Sequence, residues 1–420
     1  VPTPTPTPPS RLFPGWYVVG GAFAVTFLGF GSAYTFSAFV DALQTDFEAS
    51  RGSVSLVFSL AGFLYFALGV ISGPLADRWG SRTMAIIGML FTGVGLMLAG
   101  LARNLIEVYL AYGLGVGLGV GFSYVPAVGA VQRWFSRRRG FASGLAVSGI
   151  GVGTLFMPPI AALLIESLGW RQSYLLIGAV TLVLGLVLSL LIRNDPRDHG
   201  LYPDGDPAPP PGTVSDGMQV GEAIRSKRFI LLYAAGLVAS FGLFVPFVHL
   251  VPYARDHGID SASAALLLGA VGVGSTAGRF LLGSLADKWG RQVTLMAMFM
   301  GMALSLLIWL FSRDFWGLSL FGFVFGVFYG GFVALIPALA MDYFGGRHIS
   351  SIIGVLYTSV ALGTLIGPTA AGYIFDLSHS YTVPILASIA TNILAAAIMT
   401  RIPKVRSVPS CSTPALEKET

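Results

Sequence analysis

Charge is what this chain has least of. Asp, Glu, Lys and Arg supply only 11% of its 420 residues, while 54% are hydrophobic. A water-soluble domain carries about 25% charged residues, so the composition argues against an ordinary soluble globule and points to lipid as the solvent. Cysteine is almost missing: Cys411 stands alone, and no internal disulfide can form. The chain also lacks His-Glu-x-x-His, a Walker glycine loop and paired carboxylates inside its apolar segments. Those absences remove the usual equipment of a membrane enzyme. No basic patch interleaved with aromatics lies outside the apolar segments, so nucleic acid is not an expected partner. No metal and no cofactor are expected either.

What fills the chain instead is long uncharged sequence. No Asp, Glu, Lys or Arg interrupts residues 12–40, 52–76, 83–102, 108–132, 140–165, 172–192, 229–254, 292–312, 315–341 or 349–375. Two further runs have one interruption each, Arg279 in 261–286 and His379 in 377–400. All twelve are at least 20 residues long, and a helix needs about 20 residues to cross a hydrocarbon core of about 30 Å. The runs are continuously apolar and do not alternate, which rejects the strands of a membrane barrel. The pattern predicts an all-α membrane protein with twelve transmembrane helices. Its first run is too long for the core of a signal peptide and lacks a basic leader, so it reads as a retained helix. Glycine is abundant, with 54 residues. Gly113, Gly115, Gly117, Gly119 and Gly121 crowd one span, where small residues let helix backbones approach.

Basic residues give the expected orientation. Nineteen Lys and Arg fall on the side that an even number of spans assigns to both termini, and only Arg51, Arg103, Arg171, Arg255 and Arg313 fall opposite. Both termini are therefore expected in the cytoplasm, in a cell (inner) membrane. Five segments follow. A disordered tail, 1–11, is a Pro/Thr tract that favours polyproline II. Residues 12–192 and 229–402 form two six-helix bundles. A cytoplasmic linker, 193–228, joins them and ends in a short surface helix near 221–228, and a disordered tail occupies 403–420.

The two halves repeat. Gly73-Pro74-Leu75-Ala76-Asp77-Arg78-Trp79-Gly80 matches Gly283-Ser284-Leu285-Ala286-Asp287-Lys288-Trp289-Gly290 at an offset of 210, and the same offset relates Gly144, Gly153, Thr154 and Pro158 to Gly354, Gly363, Thr364 and Pro368. Duplicated six-span halves imply a transporter built around a central path. A channel would want rings of charge or carbonyl filters from several subunits, whereas this duplicated chain is self-contained and reads as a monomeric transport unit. The segment from Gly73 to Arg82 resembles the loop motif between the second and third helices of the major facilitator superfamily. The resemblance covers about residues 12–402. In such a motif the glycine lets two helices approach, and Asp77 and Asp287, with Arg78 and Lys288, stand at helix ends where they can hold a cytoplasmic gate. An ordinary capping pair is the plainer reading.

A narrower resemblance concerns the stretch from Trp134 to Ala146, the pair Gly15-Trp16 with Gly21-Ala22-Phe23, and the stretch from Glu222 to Phe229. These look like monocarboxylate transporters and bacterial oxalate–formate exchangers. Such a resemblance implies a proton-coupled carrier of a small organic anion working by alternating access.

Arg279 is the most informative residue. It lies about 9 Å inside the linker-side end of its span, where an arginine is costly and keeps its proton. Its planar fork matches a carboxylate. Gly272, Ser275, Thr276 and Arg279 make a small or polar stripe suited to a cavity. The plainer reading is a structural arginine bonded to carbonyls. Both resembled families carry a binding arginine in this helix. The sequence departs from them elsewhere: Ser275 stands where animal-type monocarboxylate transporters have an aspartate, Tyr34 where they have a lysine, and span eleven has no lysine. A single fixed charge favours a monoanion, because a second carboxylate would be desolvated without a partner.

Tyr34, Tyr124, Tyr329 and Tyr357 offer hydroxyls and rigid walls around that arginine, and Leu28 and Leu145 are candidates for the apolar side of the pocket. Each tyrosine alone is equally a packing or interfacial residue. His249, just after Pro246, suits reversible protonation. It lies nearer the outer surface than Arg279, so proton coupling and an external gate are both open. The reading from residues is a carrier of a lactate- or pyruvate-like monocarboxylate. Oxalate–formate exchange and carriage of another small anion, such as nitrate or a sugar phosphate, are the alternatives.

Overall fold

The computed structural model describes residues 13–135, 139–205, 218–345 and 349–403. The expected terminal tails, the proline-rich middle of the linker and Ser136-Arg137-Arg138 lie outside the described residues. Within them the architecture is all-α. Eleven helices are long and apolar enough to cross a membrane, or twelve if the bent pair Arg51–Ala67 and Gly69–Ala76 is one span with a 44° bend.

In chain order the helices of the first half are α1 (Gly15–Tyr34), α2 (Phe36–Phe47), α3 (Arg51–Ala67), α4 (Gly69–Trp79), α5 (Ser81–Gly100), α6 (Leu105–Val108), α7 (Gly115–Trp134), α8 (Arg139–Leu168) and α9 (Trp170–Ser189). One wide π turn, Tyr109–Leu114, joins α6 to α7. The second half holds α10 (Val220–Arg225), α11 (Lys227–Leu243), α12 (Val245–Asp256), α13 (Ser261–Trp289), α14 (Arg291–Phe311), α15 (Phe315–Phe344), α16 (Ile349–Ser378) and α17 (Thr382–Met399). Helix α10 is the short helix expected at the end of the linker.

Local chemistry sets many of these boundaries. Ser50, Asn104, Ser226 and Asp260 each accept a hydrogen bond from a backbone N–H in the first turn of the helix that follows, which satisfies donors that helix starts leave free. Gly80 and Gly290 end α4 and α13 at φ 84° and 89°, a backbone region open to glycine at no steric cost. The two are 210 residues apart, so the duplication in the sequence is also one of conformation.

Of the apolar runs that read as single spans, 52–76 is bent, and two others carry a one-residue interruption inside a span that otherwise continues. Residues 12–40 divide at Thr35, whose hydroxyl donates to the Ser32 carbonyl at 2.7 Å, a competition that bends helices. Residues 52–76 divide at Leu68. Residues 229–254 divide at Phe244, just before Pro246, which has no N–H to continue the ladder.

The glycine run in α7 shows how the spans pack. A Cβ on Gly113, Gly117 or Gly121 would lie 2.8, 2.8 or 2.9 Å from Leu60, Leu64 or Leu68 of the facing chain, while Gly115 would meet Gly95 at 2.6 Å and Gly119 would strike Thr92. Glycines four apart thus face one neighbour, and the two between them face α5. Lipid gives no hydrophobic drive between helices, so close packing of this kind substitutes for it. The glycines of the repeated loop motif behave differently. Among the described residues nothing lies within 4 Å of a Cβ on Gly73 or Gly283.

Two ends can be distinguished. The linker end carries Gly80, Gly290 and the inter-half segment. The far end carries the turns at Glu48–Ser50, Gly169, His257–Asp260 and Ser378–Tyr381. Exposed Trp79 and Trp289 at one end and Phe311, Trp316 and Leu377 at the other suit aromatic and apolar belts at membrane surfaces.

Candidate functional site

The site begins with how α13 is held. Added methyl groups at Gly274 and Gly278 would collide with the Phe323 and Val327 carbonyls of α15, and ones at Gly326 and Gly330 with the Val271 and Ser275 carbonyls of α13. On another side, Gly272 abuts Gly151 of α8. With two sides in backbone contact, the stripe with Ser275 and Arg279 faces inward. Arg279 is 6% exposed. Its Nη1 donates to the Val147 carbonyl of α8, so the plainer expectation of an arginine bonded to a carbonyl holds for one nitrogen. Nε and Nη2, which form one edge of the guanidinium, are buried and have no partner among the described residues. A buried, unpaired charged donor is costly, and two parallel N–H groups fit a carboxylate. Ser275 is 2% exposed and its hydroxyl is likewise without a partner.

Four phenols lie near enough to that guanidinium to interact with it electrostatically: Tyr329, Tyr124, Tyr34 and Tyr357. The structure therefore gathers five sequence candidates around one point. Tyr34 and Tyr329 share a hydrogen bond of 3.1 Å across the two halves. Phe247 stacks on Tyr34 with ring centres 4.6 Å apart and tilts against Tyr329 at 5.0 Å. Below this aromatic plug lies a small chamber lined by Tyr124, Tyr329 and Tyr357, with Phe30 and Phe66 from the first half and Phe244 and Phe332 from the second. It leaves about 20 Å³ to a water-sized sphere, room for about one water.

Of the sequence candidates only Tyr124, Tyr329 and Tyr357 line that chamber; Arg279, Ser275, Tyr34, Leu28 and Leu145 are not among its lining residues. Leu28 packs in a separate apolar cluster with Val25, Met89 and Val131, and Leu145 is 37% exposed. Arg78 and Lys288 are exposed. The side chains of Asp77 and Asp287, on which the gate expectation turns, lie outside the described residues.

His249 is fully buried but belongs to another cluster. Its Nε2 faces the Pro368 carbonyl at 2.9 Å and so carries the proton, which leaves Nδ1 to accept from the Tyr381 hydroxyl at 2.9 Å. Tyr381 in turn accepts from Arg51 at 3.1 Å. Arg51 grips both carboxylate oxygens of Asp256 at 2.6 and 3.2 Å, lies 3.8 Å from Asp41 and stacks 4.3 Å over the Phe375 ring. Asp376 accepts from the backbone N–H groups of Arg51 and Gly52 at 3.0 and 2.8 Å. Arg255 holds Asp41 at 2.5 Å. These contacts join the halves at the far end, where a Cβ on Gly372 would stand 2.7 Å from Gly52.

Sequence reading found only His249 of this cluster, as a candidate for proton coupling or an external gate, and missed the rest. Arg51 stands at the edge of an apolar run, where a charge is ordinary, and its partners in the other half, Asp256, Asp376 and Tyr381, are far away in sequence. Beside it opens a vestibule of about 810 Å³ lined by Asp41, Asp46, Glu166, Asp260 and Arg255. Asp46 pairs with Arg171 at 2.8 Å, so the mouth keeps an excess of negative charge.

Comparison with known proteins agrees with the fold. A family model described as Major Facilitator Superfamily matches residues 22–250 and 230–417. Monocarboxylate transporter 11 of Homo sapiens is 30% identical over 97% of this chain and 87% of its own length. Monocarboxylate transporter 12-B of Danio rerio is 30% identical over 88% and 82%, and monocarboxylate transporter 3 of Rattus norvegicus is 31% identical over 88% and 76%. With its membrane-spanning helices and a family match over most of its length, the chain is a multi-pass membrane transporter that belongs to the Major Facilitator Superfamily and is homologous to the monocarboxylate transporters.

Proposed function

We propose that the protein carries a small monocarboxylate anion, lactate- or pyruvate-like, across the cell membrane together with a proton. The carrying observation is the free edge of Arg279: two buried N–H groups, side by side, amid four phenols. One such edge pairs with one carboxylate, and among the described residues no second cation adjoins it to take another. The relatives' names agree with that chemistry.

Transport runs by alternating access between two six-helix bundles, 12–192 and 229–402, joined by a cytoplasmic linker, 193–228, with both termini on the cytoplasmic side. The far end is then the outer mouth, closed in this conformation by Arg51 and its partners. Asp77, Arg78, Asp287 and Lys288 are the corresponding gate on the cytoplasmic side. Proton coupling rather than anion exchange is favoured by the acidic vestibule, because such a mouth concentrates protons. His249 acts from the outer gate, since its bonds run to Tyr381 and Pro368 and Arg279 lies elsewhere.

Uptake of labelled lactate, formate, oxalate and nitrate into proteoliposomes, with and without a pH gradient, tests this reading. Lactate uptake driven by an inward proton gradient is expected. Oxalate–formate exchange that ignores the gradient, or carriage of nitrate alone, rejects it.

A further inference from the structure

Tyr65 is a buried phenol to which neither the sequence reading nor the function above gives a task. It lies on α3, is 1% exposed, and its hydroxyl has no hydrogen-bond partner among the described residues. Its ring packs at 5.5 Å against Phe30 and at 4.8 Å against Phe66, both of which line the chamber. Its hydroxyl is close enough to Tyr34 and Tyr329 to interact with both electrostatically. Those two phenols are engaged with each other, whereas Tyr65 is not engaged. Burying a hydroxyl without a partner is unfavourable, and each such orphan calls for an explanation, a ligand or a water among them.

We infer that Tyr65 is a specificity-determining residue of the chamber and that it reads the oxygen on the second carbon of the substrate. The inference rests on the carboxylate reading of Arg279. Tyr34 and Tyr329 interact electrostatically with both Arg279 and Tyr65, so a substrate whose carboxylate sits on the Arg279 edge and whose second carbon points along that pair is directed toward Tyr65. A phenol donates equally well to a 2-hydroxyl or a 2-oxo oxygen, so 2-hydroxy and 2-oxo monocarboxylates are both accepted. A plain alkyl acid leaves the phenol unpaired. A site built to bond an oxygen rejects analogues that lack it far better than an apolar pocket rejects an added one.

The test is the variant Tyr65→Phe in purified full-length protein, with uptake of lactate, pyruvate and propionate into proteoliposomes. Lactate and propionate differ only in the 2-hydroxyl. One lost neutral hydrogen bond is worth about three- to tenfold in affinity. The preference for lactate and pyruvate over propionate, taken as the ratio of kcat/KM, should fall by that factor. The apparent Tm of the substrate-free variant should not fall, because the deleted hydroxyl had no protein partner to lose. An unchanged preference, or a drop in Tm that accompanies an equal loss for all three acids, overturns the inference and makes Tyr65 a packing residue. If the unmodified protein carries none of the three acids, the carboxylate reading fails with it. If it carries all three and Tyr65→Phe leaves their ratio intact, only the role of Tyr65 fails.

Discussion

Arg51, the first residue of α3, holds Asp256, the last residue of α12, by both carboxylate oxygens at 2.6 and 3.2 Å. The pair joins the two halves of the chain, and the same guanidinium reaches Tyr381 and through it His249. If it latches the outer mouth, Arg51→Gln should loosen that end by about 1–3 kcal/mol, the range for charged hydrogen bonds, reduced where Asp256 meets solvent. A cysteine at Phe247, about 13 Å below Asp256 along α12, should then react faster with an impermeant thiol reagent added outside. The exchanged pair Arg51→Asp with Asp256→Arg should slow it again. Equal labelling in all three proteins removes the latch.

Arg279→Lys keeps the charge and loses both the free edge and the planar geometry. The KM for lactate should rise about ten- to a hundredfold, the equivalent of one charged hydrogen bond or more. Retained helical circular dichroism would separate binding from folding. An unaltered KM would refute a carboxylate contact at this residue.

His249→Ala removes the acceptor of Tyr381 and the donor to Pro368. Accumulation driven by a pH gradient should weaken more than lactate exchange at equal pH on both sides. Equal loss of both activities would assign His249 to packing of the gate, and preservation of both would make it dispensable.

The glycines separate into two classes under substitution. Gly278→Ala drives a methyl into the Val327 carbonyl and should cost about 1–3 kcal/mol, seen as a lower Tm in detergent. Gly73→Ala meets no atom of the described residues within 4 Å and should match or exceed the parent Tm, since alanine suits a helix interior by about 0.5–1 kcal/mol. Any transport defect in that variant would then report a contact made in a different conformation. A destabilised Gly73→Ala protein would contradict the open surroundings described here.

The spans were legible because lipid forbids charge over lengths that can be counted. The breaks at Thr35 and Leu68 were not, because neither carries a proline or a charge to announce them, whereas Pro246 does mark the third. Arg279 stood out as the lone strong charge within a run, and the tyrosines near it follow from the same helices facing one path. Leu28 and Leu145 show the limit of that reasoning. Helical register alone does not say whether an apolar residue faces the chamber, the neighbouring core or the outside. Tyr65 was hidden for a related reason: one more aromatic in an apolar run becomes informative only when its hydroxyl is seen to lack a partner.

The mutual contact of Gly151 and Gly272 has a mechanical meaning. Two backbones that meet at glycines, with the Thr276 hydroxyl beside them, can roll about the contact but have little room to close further, so the crossing of α8 and α13 can serve as a fulcrum. From Gly151 to the far tip of α8 is about 25 Å. A roll of about 10° there moves that tip by about 4 Å, more than the reach of a hydrogen bond, about 3.5 Å. If each half turns as a body about that crossing, a rotation too slight to disturb the glycines is enough to part far-end hydrogen bonds such as that between Arg51 of α3 and Asp256 of α12. The leverage comes from where along the helix the smallest residues sit.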